Sequence, residues 1–510
     1  MDQSAPHHPP HPSNPLIHHH TVTPSSALLS SLHLDPFLHL SLLHLKKNLI
    51  ASSPTTPHTV ESLKSAMLEL GLTPKIRNLA YSLSCSERDR KSTPEILQVE
   101  QARDDWRQSI YDELLSVCSE RGVSIVGPDT QQNKKIRYIF DSEDLFDAIK
   151  RIPCSSNLNA SLCHNYGLIK LRLSTPDHSV LRTKFSELHP CNRHYGVDEI
   201  MTGSSKFIQH RQEVGVKVLQ ESYVPISRQY ARYGIPASLR PEIYRVCLNL
   251  PRTFGAKEGE YYKSLREKAR AIKYNVVDEL FEMDSQTIIS NSMSFFPFVE
   301  NITNVVLAFS RDSWVAQNST YAAHESIKYE MSDGTNVSIP SSGVQPFKGF
   351  VNYIAPLSLV YEDEERIYFT FRGMYSRLWC KLNVISSDSG ALIHLCKTFE
   401  DLLLAWDPAL FMHLLSVNVD PLSIAFSWIH LAFTNVLETE QLLLLWDRLV
   451  GYDDLLLLPV LSAAIFTFRS ETLMCTSSAQ EVKDILDNNS GRRIKVIPLL
   501  QAALFRECFK

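Results

Sequence analysis

Gly234-Ile-Pro236-Ala-Ser-Leu239-Arg240-Pro-Glu-Ile-Tyr244-Arg245 opens the stretch that decides the fold. Arg240 and Tyr244 stand four apart, the spacing that puts two side chains on one face of a helix. From Lys206 to the end the pattern is almost wholly helical, with apolar stripes joined by short polar links. Four further segments follow in order: Phe281-Glu-Met-Asp284, Pro346-Phe-Lys348-Gly349-Phe-Val-Asn352-Tyr-Ile-Ala355-Pro356, Trp406-Asp-Pro408-Ala-Leu-Phe-Met-His413, and Gln441-Leu-Leu-Leu-Leu-Trp446-Asp447. One interruption, residues 315–345, is polar and rich in Ser, Asn and Gly. A span of that length without periodicity inside a compact domain is unusual, and such loops are often functional. The expected fold class is mainly α: an all-helical C-terminal domain over 206–505, with its motif core at 234–468.

Upstream the pattern differs. Residues 1–27 are Pro- and His-rich and carry little apolar surface to offset chain entropy, so they read as a disordered tail. Residues 28–205 read as a smaller mixed, mostly helical region of unknown role. Asp35-Pro36, Thr59, Thr73-Pro74 and Thr93-Pro94 read as helix starts. The last begins a long helix whose stripe includes Val99, Trp106, Ile110, Leu114 and Val117, stopped by Gly122. Short strands are expected at 123–126, 136–140 and 168–173, around a helix at Glu143–Ile152.

The chain has 510 residues, 44% of them hydrophobic and 21% charged, enough to bury the cores of two or three domains. A net charge of −5 argues against a nucleic-acid partner, which selects for a basic stripe. Ten cysteines without CxxC spacing read as scattered thiols of a reducing compartment. No metal site or cofactor is expected, and no glycine-rich phosphate loop or nucleophile elbow is present. The longest apolar run, Leu455 to Phe468, is too short for a membrane span of about 20 residues and reads as a core helix. With no secretory signal visible, a cytoplasmic location is expected.

The five motif blocks, in this order and spacing, resemble the TBC domain of GTPase-activating proteins for Rab-type small GTPases. The resemblance covers roughly 240 residues and leaves the first 205 outside it. It implies a GTP-bound Rab as partner, a role in vesicle traffic, and peripheral association with endomembranes through that partner. Members of that family supply two groups in trans. An arginine neutralises charge developing on the phosphate, and a glutamine orients the attacking water.

Aligned to the family's first motif, this chain keeps Asp284 and has Thr287 in the arginine position. A hydroxyl cannot neutralise phosphate charge. No arginine occurs between Arg270 and Arg311, so a shift of register does not supply one. Aligned to the second motif, Gly349, Ala355 and Pro356 match, Asn352 stands for Asp, and Lys348 takes the glutamine position. Lysine has three donors and no acceptor, so it can meet a phosphate oxygen but cannot accept a proton from water. The resemblance also assigns Arg240, Tyr244, Asp284, Gly349 and Asn352 to the GTPase-contact surface. For Arg240 and Tyr244 a second reading is that they fix the first helix to the core. Trp406-Asp407-Pro408 and Trp446-Asp447 read as core and capping elements. Two main functional readings follow: a GTPase activator with weak or non-standard catalysis, or a Rab-binding effector or scaffold without catalysis. A third is a helical adaptor unrelated to GTPases.

Overall fold

The structure is a computed structural model. It describes residues 96–509 apart from 128–135, 154–165, 172, 196–204, 252–255, 292, 321–326, 331–335 and 487–493, together with a few helical positions between 65 and 78. The tail 1–27 and the helix expected after Asp35 lie outside the described residues; of the helix expected after Thr59, Ser65 and Met67 are described, both helical. The chain divides into two compact units, Met1–Arg90 and Lys91–Lys510. The boundary expected near 205 is not where this division falls: everything from Lys91 onward belongs to the second unit, which contains the whole candidate site.

The helices that frame that unit follow from local signals. The first, α1 (Ile96–Arg121), buries Val99, Ile110, Leu114, Val117 and Cys118 along one stripe. It ends at Gly122, whose φ of +65° is a left-handed conformation that glycine adopts without strain. The second, α2 (Ser142–Lys150), is started by a reciprocal capping box. The Asp141 side chain accepts from the Glu143 and Asp144 amides, and the Asp144 side chain accepts from the Asp141 amide. Its buried residues Leu145, Phe146 and Ile149 each contribute on the order of 1.5–3 kcal/mol to holding it on the body.

Beyond these lie α3 (Val224–Arg232), α4 (Arg240–Cys247), α5 (Asn275–Asn291), α6 (Val299–Ser310), α7 (Glu364–Arg377), α8 (Leu392–Trp406), α9 (Pro421–His430), α10 (Thr439–Tyr452), α11 (Leu457–Phe468) and α12 (Val496–Leu504). Pairs α3–α10, α8–α11, α5–α6, α6–α7 and α11–α12 make the main contacts. The α3–α10 approach is close: a Cβ on Gly451 would lie 2.8 Å from the Arg232 amide nitrogen. Every residue of α11 from Leu457 to Phe466 is buried, so the apolar run is a central core helix. Among the described residues no single helix is long and apolar enough to cross a membrane.

Among the described residues the segments expected as strands at 123–126, 136–140 and 168–173 form no strand, and Val126 makes only an isolated antiparallel bridge with Tyr274. These segments run along the helical body, and scattered groups satisfy their backbone in place of a ladder. The Glu400 carboxylate accepts from the Leu168 (2.6 Å) and Ile169 (3.2 Å) amides, the Ile125 carbonyl accepts from the Asn275 amide (3.0 Å), and the Phe140 carbonyl accepts from the Lys348 amide (3.2 Å). Apolar side chains packed onto the helical body gave them a strand-like pattern. The two described strands are instead in the polar insert: Ile327–Glu330 pairs antiparallel with Asn336–Ile339. The short helix Ser313–Asn318, capped by the Asp312 side chain, runs into the start of the insert.

Candidate functional site

Helix α5 carries Asp284 and Thr287 one turn apart. Asp284 is only 3% exposed and braces the second motif. Its carboxylate accepts from the Gly349 and Val351 amides, both at 2.8 Å. Gly349 has a φ of +93°, which turns the chain so that both amides converge on one side chain. Burial raises the Asp284 pKa to about 6, against the opposing pull of those two amides, the Tyr138 hydroxyl and the Lys348 charge.

A residue outside every motif completes this cluster. The Tyr138 hydroxyl lies 3.2 Å from Asp284 Oδ1 and 3.3 Å from Thr287 Oγ1. Burial, foremost, pushes its phenol up to about 12, so it remains a neutral donor. The Thr287 hydroxyl donates to the Met283 carbonyl at 2.9 Å, the back-bond common for threonine within a helix.

Thr287, Lys348, Gly349 and Asn352 line one cleft of about 440 Å³. Thr287 and Asn352 are half-buried, whereas Lys348 is exposed. The lip opposite comes from upstream of the motifs: Asp141, Ser142 and Glu143, at the start of α2. That lip is firmly seated. Ser142 Oγ is 2.8 Å from His430 Nδ1, whose Nε2 is 3.0 Å from Asn383 Oδ1. Full burial holds His430 neutral, with its pKa lowered to about 3. The Phe140 and Phe347 rings lie 5.3 Å apart, and those of Phe146 and Phe426 4.8 Å apart.

Among the described residues no arginine lines the cleft. Two arginines that flank helix α5 in sequence are committed elsewhere. Arg311 makes a two-pronged pair with Asp278, each contact 2.6 Å, and Arg266 pairs with Glu364 at 2.9 Å. The cleft therefore offers a single ammonium, at its mouth, and neither a guanidinium nor a primary amide at the two motif positions.

Arg240 and Tyr244 require a correction as contact residues. Arg240 is 8% exposed and Tyr244 fully buried. Both serve Asp447, itself fully buried. Arg240 donates to it through Nε (2.8 Å) and Nη2 (3.0 Å), the Tyr244 hydroxyl donates at 2.8 Å, and the Ile235 amide at 3.2 Å. Burial works against the Arg240 charge, but the Asp447 carboxylate outweighs it and holds the guanidinium above its ordinary pKa. Removing one partner of such a pair typically costs about 3–5 kcal/mol. The pair fixes α4 to α10, as the core-fixing alternative describes. Asp407 likewise serves as a cap, accepting from the Leu410 amide at 3.0 Å.

Sequence reasoning missed Tyr138, Asp141, Ser142 and Glu143. The one local signal there, the capping pattern before α2, marks a helix start and says nothing of a cleft.

A family model described as the Rab-GTPase-TBC domain matches residues 347–474. The human protein TBC1 domain family member 19 is 32% identical over 438 residues, covering 80% of this chain and 82% of that protein. Bovine TBC1 domain family member 2A is 24% identical over 273 residues, which are 51% of this chain and 25% of that much longer protein. Among solved structures, the Chlamydomonas flagellar RabGAP TBC domain aligns at 15% identity and a TM-score of 0.43, over 62% of this chain and 99% of that one. With close to a third of positions identical across four-fifths of both chains, this protein belongs to the TBC-domain family.

Proposed function

We propose that the chain is a regulator of Rab-type small GTPases that docks the GTP-bound partner over the cleft between α5 and residues 346–356, with little or no acceleration of hydrolysis. The observation that carries this reading is the content of the cleft: Thr287 and Lys348 share it, and among the described residues no arginine lines it. An arginine finger accounts for about 10³–10⁵ in rate where one is used. The Thr287 hydroxyl is spent on the Met283 carbonyl, and a threonine brings no charge. The bracing of Gly349 and Val351 by Asp284 keeps the loop in shape, which suits docking. The protein would act in vesicle traffic, in the cytoplasm and at the surface of endomembranes, through its partner.

One observation favours a second reading, weak catalysis: Lys348 is exposed at the cleft mouth and can reach a phosphate oxygen as a point charge. Single-turnover GTP hydrolysis across a panel of Rab proteins, paired with pull-downs on GTP-locked forms, tests both. Docking without a rate change, in wild type and Lys348→Ala alike, is the expected result. A modest stimulation abolished by Lys348→Ala establishes the second reading. Strong stimulation that survives Lys348→Ala, or no Rab bound at all, overturns both.

A further inference from the structure

The polar groups of the cleft have the wrong sign for a phosphate. Among the described residues three carboxylates line it, Asp141, Glu143 and Asp284, against one ammonium, that of Lys348. Asp141 is occupied in capping α2, and Asp284 in holding the Gly349 and Val351 amides. Glu143 is different. It is exposed on the lip, and among the described residues its carboxylate has no hydrogen-bond or ion-pair partner. Asn435, half-buried, also lines the cleft, and among the described residues its buried side-chain oxygen accepts no hydrogen bond. A buried acceptor without a donor is an unfavourable arrangement that a ligand donor relieves.

A phosphate has only acceptors and negative charge, so it answers neither group. A guanidinium or ammonium answers both, because it is all donors and positively charged. The lip is also pre-set. Ser142 against His430, Phe140 against Phe347 and Phe146 against Phe426 hold the start of α2 in place before any partner arrives. Little ordering of the receptor is then needed on binding.

We propose that the cleft receives a cationic side chain, arginine or lysine, presented by the docked GTPase, in place of the partner's nucleotide phosphates. This deepens the proposed function and rests on it for the identity of the partner. Lys348, at the exposed mouth, remains outside the contact.

The sign of one charge reversal tests it. Glu143→Lys should weaken binding of a GTP-loaded Rab roughly tenfold or more, the scale of close charge pairs at interfaces. Glu143→Gln should weaken it less. If phosphates enter the cleft, Glu143→Lys removes a repulsion and binding tightens. Tightened or unchanged binding overturns the proposal. Should Glu143→Lys fail to fold, Glu143→Gln carries the same comparison.

A partner-free arm separates this from failure of the functional reading. Deuterated full-length protein is titrated with acetyl-arginine amide and, separately, with inorganic phosphate, following the Gly349 and Asn352 amide resonances. Shifts with arginine amide in wild type that vanish in Glu143→Gln support the proposal even if no Rab binds. Shifts with phosphate, shifts with arginine amide that persist in the variant, or no shift with either probe overturn it.

Discussion

Replacing Asp284 with asparagine keeps the shape of the side chain and removes its titration. In the wild type, burial raises this carboxyl from an ordinary 3.8 to about 6. The native state therefore holds the proton more tightly than the unfolded chain does. For an acid shifted upward, the associated stability is fully present below the unfolded value and is lost as pH rises through the folded one. The whole effect amounts to about 3 kcal/mol, of which about 2 kcal/mol falls between about pH 4.5 and about pH 7.5. Asparagine has its own cost. It offers one acceptor where the Gly349 and Val351 amides need two, and a buried amide without a partner costs about 1–3 kcal/mol. That cost does not titrate. The stability difference between wild type and Asp284→Asn should accordingly shrink by about 2 kcal/mol on going from about pH 4.5 to about pH 7.5. Urea unfolding of both proteins at the two pH values measures it, and groups common to both cancel in the difference. A difference that is flat, or that grows with pH, would show that the two amides stabilise the ionised form at least as much as burial penalises it.

Three further outcomes are expected. Tyr244→Phe removes one hydrogen bond to a buried carboxylate and should cost about 1.5–3 kcal/mol in a urea titration, with Rab binding retained; lost binding at unchanged stability would return Tyr244 to the contact surface. Gly234→Ala should destabilise by about 1–3 kcal/mol, because the residue has a φ of +96° and an added Cβ would lie 2.7 Å from Arg448 Nη2; a melting temperature equal to wild type would refute this. Thr287→Arg with Lys348→Gln puts a guanidinium inside the cleft that receives the partner's cation and should weaken docking of a Rab the wild type binds without raising GTP hydrolysis; a gain in hydrolysis would show that nucleotide phosphates reach position 287.

The helices and their order were legible because helical periodicity, caps and stops are local. Gly122 after α1 and Asp141 before α2 act within a few residues of themselves. The misread strands failed for the complementary reason. The apolar residues at 136–140 report burial, the consecutive Ile139 and Phe140 included, and a helical body can bury such a run as well as a sheet can. For Arg240 and Tyr244, spacing placed both on one helical face. Whether that face looks inward depends on Asp447, more than two hundred residues later. The cleft was half legible. Asp284, Thr287 and Lys348 stand at motif positions, whereas Tyr138 joins Asp284 across 146 residues and belongs to no motif.

The seating of α2 bears on how this protein can be dissected. A fragment beginning at Gly234, where the motifs begin, would strip Phe140 from Phe347, Phe146 from Phe426 and Ser142 from His430. The faces laid bare would be aromatic and contiguous with the core, the kind of surface that drives aggregation and recruits chaperones. The portion that can be transplanted or expressed intact is therefore longer than the portion its motifs announce.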